Sequence, residues 1–192
     1  MHSSQLLSVL AGLAVAAQAA VWPRSTSDPF QIYAFGDGIG GVPLISSGKS
    51  AYIGDYSLLN DTEAAPTLTP SSVTSDNNGV WVGAPNTTGF ADSSDLPTWS
   101  DLCFYVPKSS SSSHAVGLVD ISAGKNATLV TSGFDFYGTL AYLTGASGQM
   151  VTLWYAVPSD TEGLYSLRWN TTGESVDGAV LLTLKSSPPS NA

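Results

Sequence analysis

A chain of 192 residues with six Lys and Arg against fifteen Asp and Glu, a formal net charge of −9, is long enough for one domain with its own core. It lacks the clustered cations that a nucleic-acid partner requires. One cysteine excludes an intramolecular disulfide, and that cysteine with the one histidine outside the first twenty residues cannot supply the usual tetrahedral ligands of zinc.

Residues 1–20, MHSSQLLSVLAGLAVAAQAA, hold no Asp, Glu, Lys or Arg. An apolar stretch from Leu6 to Ala16 runs into Ala17-Gln18-Ala19, the small-x-small pattern cut by signal peptidase, so the segment reads as a secretory signal peptide with the mature chain starting at Ala20 or Val21. The stretch is shorter than the ~20 residues needed to span a bilayer. Residues 21–192 are expected to form a single domain, with 21–28 and 186–192 as disordered tails. The closing KSSPPSNA offers no hydrophobic tail for a lipid anchor. The expected product is extracellular, with no membrane attachment after cleavage.

Short apolar runs separated by Gly, Pro, Asn, Asp and Ser clusters predict strands over 30–35, 42–45, 50–53, 80–82, 102–106, 116–119 and 127–131. The glycine-rich stretch from Gly36 to Gly41 lacks a following helix or Walker lysine and reads as a tight turn. Residues 134–143, 150–157, 164–169 and 179–184, joined by turn-forming segments, predict a four-stranded antiparallel meander. Residues 60–78, with Pro66 and Pro70, and the serine run within 108–114 read as surface loops. No segment carries helical periodicity over three turns. The fold class is therefore all-β, an antiparallel β-sandwich, with a β-trefoil or other barrel as the alternative.

Four sequons, at Asn60, Asn86, Asn126 and Asn170, fall beside turns and are candidate glycan sites. Cys103 lies in the run Leu102-Cys103-Phe104-Tyr105-Val106, where strand burial explains it more simply than catalysis. His2 leaves with the signal, so a Ser-His-Asp triad would rest on His114, a base beside the mobile serine run. No metal site or cofactor is expected. Asp160 and Glu162 supply hard oxygens, but without EF-hand-like spacing they read as a solvated turn.

Carboxylates and aromatic rings are what remain. Asp37, Asp55, Asp135, Asp160 and Glu162 are the candidate acids for polysaccharide cleavage, which needs two carboxyls. Asp135, between Phe134 and Phe136, is the most interesting of them; strand alternation makes it equally an outward-facing residue. Among Trp81, Trp99, Trp154 and Trp169, Trp154 with Thr152 beside it is the candidate for stacking on a sugar ring, against the commoner core role of tryptophan.

The phrases FQIYAFGDGIGGVPLISSGKSAYIGD, TSGFDFYGTLAYLTG and LWYAVPSDTEGLYSLRWNTTG resemble small secreted proteins of filamentous ascomycete fungi, a group with no assigned activity and hence no catalytic residues to carry over. The layout of a signal followed by a β-rich body is also loosely similar to fungal cell-wall glycoproteins. Together these readings give a secreted, non-enzymatic glycoprotein, associated with the fungal cell wall or extracellular polysaccharide through Trp154, Thr152 and Asp135. A carboxylate-dependent polysaccharide-active enzyme and a secreted protein-binding protein are the alternatives.

Overall fold

The computed structural model describes residues 29–69, 79–90, 96–120, 126–173 and 175–190. Residues 1–20, read from the sequence as a signal peptide, and residues 21–28, expected as a tail, lie outside that set. No helix among the described residues is long and apolar enough to cross a membrane. The sole helical element among them is a 3-10 turn, Tyr56–Leu59, capped by the Asp55 carboxylate, which accepts from Ser57 N–H at 2.9 Å.

Among the described residues there are sixteen strands, and every pairing between them is antiparallel. In chain order they are β1 (Phe30–Gln31), β2 (Tyr33–Gly36), β3 (Ile39–Ser46), β4 (Ala51–Ile53), β5 (Ala65–Thr69), β6 (Val82–Pro85), β7 (Leu102–Pro107) and β8 (Gly117–Val119). There follow β9 (Leu129–Val130), β10 (Phe134–Tyr137), β11 (Leu140–Thr144), β12 (Met150–Val151), β13 (Trp154–Pro158), β14 (Tyr165–Trp169), β15 (Val180–Leu181) and β16 (Thr183–Lys185). The result is a β-sandwich that does not close into a barrel.

One layer runs β10-β11-β16-β2-β3 and the other β3-β4-β14-β13-β15. The long strand β3 serves both, its first half pairing with β2 and its last three residues with β4. The register shifts between Ala34 and Phe35, opposite Gly41 at φ 81°, a conformation that glycine adopts without a steric cost. From β3 the ladder continues through β5 and β6 to β7, which pairs with β8 and β9.

The C-terminal meander is realised differently from the expectation. Residues 134–143 are two strands, β10 and β11, turned at Gly138 with φ 62°. The run 150–157 breaks at Thr152-Leu153 into β12, which pairs with β11, and β13, which pairs with β14 in the other layer. The run 179–184 breaks likewise at Leu182: β15 pairs with β13, and β16 pairs with β2. A continuous apolar run does not reveal that its two ends pair with different sheets.

Two further expectations change. Residues 60–78 contain β5, whose Ala65 and Thr67 are buried; a run of Ala, Pro and Thr carries little hydrophobic signal. Residues 186–190 are not a loose tail, since Ser186 is buried and donates its N–H to the Thr139 carbonyl at 2.9 Å.

Both inner faces contribute to one core centred on a seam of rings. Trp81 stacks on Phe136 at 4.9 Å, Phe104 meets Phe134 edge to face at 5.2 Å and Trp154 at 6.1 Å, and Trp154 meets Trp169 at 4.4 Å. Ile32, Leu44, Ile53, Val106, Leu167 and Leu184 pack around it. Each such aliphatic side chain contributes roughly 1.5–3 kcal/mol of burial.

Candidate functional site

Alternation decides which side chains leave this core. In β2, β16 and β11 the buried Ala34, Leu184 and Ala141 alternate with half-buried Tyr33 and Phe35, Thr183 and Lys185, and Leu140 and Tyr142. In β10 buried Phe134 alternates with exposed Asp135 and Tyr137. All of these outward residues therefore share the outer face of the β10-β11-β16-β2-β3 layer.

Register aligns them. Pro43 faces Tyr33, Tyr33 faces Lys185, Lys185 faces Leu140 and Leu140 faces Tyr137, a row crossing five strands. At about 4.8 Å between strands the row is roughly 19 Å long. It has a tyrosine at its outer end and another near the inner end, with the ammonium of Lys185 between them. Tyr137 is 70% exposed, the most open aromatic ring among the described residues.

Charges on this face are held in place. The Lys185 ammonium sits 4.8 Å from the centroid of the Phe35 ring, a cation–π geometry. Asp135 lies opposite Tyr142 on the neighbouring strand; its Oδ1 accepts from Phe136 N–H at 2.7 Å, and its Oδ2 faces the Tyr142 hydroxyl at 3.4 Å. Desolvation, and then the Asp135 charge and hydrogen bond, raise the Tyr142 pKa above its ordinary value of 10.0, so the phenol remains a donor. The Tyr33 hydroxyl donates to Gln31 Oε1 at 2.8 Å. Together the face combines half-open rings with fixed donors and acceptors.

The residues singled out from the sequence separate. Asp135 lies on this face. Trp154 does not: it is 1% exposed, and its indole N–H donates to the Ala141 carbonyl at 3.3 Å inside the sandwich. The stacking role expected of Trp154 is therefore corrected to a core role, because the break at Thr152-Leu153 delivers β13 to the other layer with its Trp154 side turned inward. Thr152 is exposed in that break and lies outside both strands.

Of the other carboxylates, Asp37 occupies the exposed β2–β3 turn, Asp55 caps the 3-10 turn, and Asp160 and Glu162 lie in the exposed β13–β14 connection. No cluster of three or more His, Cys, Asp or Glu able to hold a metal ion occurs among the described residues. His114, expected on a mobile loop, is half-buried, with Nδ1 3.1 Å from the Trp169 carbonyl. Cys103 is 1% exposed, and burial, followed by the Asp120 charge, raises its pKa.

The sequons lie at turns. Asn60 and Asn126 are exposed, and Asn86 and Asn170 are half-buried. Asn60 ends the 3-10 turn in the left-handed region at φ 47°.

Sequence reasoning missed Tyr33, Phe35, Tyr137, Tyr142 and Lys185 as members of one surface. The alternation within each strand was readable, but their convergence depends on pairing β2 with β16 and β16 with β11, strands far apart in the chain. No protein-family model, curated protein or solved structure matches the chain. Its class accordingly rests on the fold: an all-β antiparallel sandwich.

Proposed function

We propose that the protein is a secreted, N-glycosylated sandwich that associates with cell-wall or other extracellular polysaccharide through the outer face of the β10-β11-β16-β2-β3 layer. The observation supporting this reading is the row from Tyr33 through Lys185 to Tyr137, with Phe35, Asp135 and Tyr142 on the same face. Flat rings offer apolar area to the C–H faces of sugars, while Lys185, Asp135 and the Tyr142 hydroxyl can order ring hydroxyls. The span of the row suits an extended chain lying across the strands. This retains the polysaccharide partner inferred from the sequence and replaces Trp154 by tyrosines as its anchor.

The test is retention on insoluble β-glucan or chitin. Native protein should be retained, and the double substitution Tyr33→Ala, Tyr137→Ala should release it with little change in melting temperature. Reducing-sugar release should stay at background. Undiminished retention of the folded double variant would remove this face from the proposal. Sugar release abolished by Asp135→Asn would favour the enzymatic alternative instead.

A further inference from the structure

A second site lies on the opposite layer, where β4 and β14 part. The segment leading into β8 wedges between them: Ala51 N–H donates to the Val116 carbonyl at 2.9 Å, and Val116 N–H donates to the Leu167 carbonyl at 3.2 Å. Ala115 bridges Arg168, and Ser50 bridges Gly117. Gly117 permits the approach, since a Cβ there would collide with the Lys49 carbonyl oxygen. The fork leaves a cleft of about 60 Å³ lined by Ser50, Tyr52, Ser166 and Arg168, with buried Val116 and Leu167 among its walls.

Strand alternation turns Ser166 and Arg168 away from the core that receives Leu167 and Trp169, and Tyr52 pairs with Ser166 on that outer side. All four polar lining residues are half-buried. None of their side chains makes a hydrogen bond or ion pair among the described residues. The planar fork of a guanidinium that has no acceptor among the described residues matches a two-oxygen anion. Three hydroxyls beside it add donors. The cleft has room for one small anionic group.

We propose that this cleft is an oxyanion site, in which Arg168 binds a sulfate or carboxylate group and Ser50, Tyr52 and Ser166 donate to its remaining oxygens. It stands independently of the tyrosine face, which lies on the other layer.

Thermal melting in sodium sulfate, against sodium chloride at matched ionic strength, should show a saturable rise in melting temperature. Arg168→Gln should abolish the rise, Tyr52→Phe should weaken the apparent affinity several-fold, and Lys108→Gln, on an exposed loop, should preserve it. If Arg168→Gln does not fold, Arg168→Lys, which keeps the charge but loses the fork, should weaken affinity at least tenfold. Galacturonate oligomers compared with neutral oligomers of equal length distinguish the sources. Tighter binding than free sulfate assigns an acid carried on a sugar chain, and no gain assigns a free ion. A rise that survives Arg168→Gln, or no rise with either anion, overturns the site.

Discussion

Trp154 and Trp169 are register partners on β13 and β14, and their rings meet edge to face with centroids 4.4 Å apart at 65°. Both are buried, and Phe104 reaches Trp154 from β7. The pair is thus a joint of the core.

Trp154→Ala should accordingly destabilise the protein by about 3–5 kcal/mol, the usual cost of truncating a buried large aromatic. At about 2–4 °C per kcal/mol for a chain of this size, the melting temperature should fall by at least several degrees. Tyr137→Ala, at a ring 70% exposed, should stay within about 0.5 kcal/mol. Urea unfolding of the two variants checks the contrast, and equal losses would contradict the burial assigned to Trp154.

Alkaline titration should reveal late-ionising tyrosines. Tyr105, through burial, and Tyr142, through desolvation and Asp135, have pKa values raised above 10.0. A folded-state pKa above the unfolded value means the native state holds its proton longer. The associated stability is complete below pH 10 and is lost as pH rises through the folded pKa. Tyrosinate absorbance should therefore show a late-ionising fraction, and Asp135→Asn should move part of it to lower pH. An unchanged titration curve in that variant would break the Asp135–Tyr142 link.

Cys103 is sealed by burial in β7, and its raised pKa disfavours the thiolate. Native protein should resist thiol reagents and label fully once unfolded in denaturant. Fast native labelling would show that β7 opens readily.

Glycans should occupy Asn60 and Asn126, whose side chains are exposed. Asn60→Gln and Asn126→Gln in material made by the secretory route should each remove one glycan mass. Asn60→Gln should also cost some stability, because asparagine tolerates the left-handed backbone at φ 47° better than glutamine does. Mass spectrometry of that material checks both, and a variant that loses no glycan mass would count against that site.

Strand content was largely legible along the chain. The runs 30–35, 102–106 and 116–119 became β1 with β2, β7 and β8 because alternating apolar and β-branched residues suit a pleated, half-buried surface whatever the partner strand. The outward aim of Asp135 between Phe134 and Phe136 was legible for the same reason: side-chain direction in a strand repeats every two residues. What tertiary structure alone decided was where strands end and which strands meet. Thr152-Leu153 and Leu182 carry no turn signal, yet there the chain leaves one layer for the other, burying Trp154 and setting Lys185 between Tyr33 and Leu140. Local periodicity is a property of neighbouring residues. The tyrosine row and the Arg168 cleft are built from strands separated by many tens of residues, and that pairing is selected by the packing of the whole core.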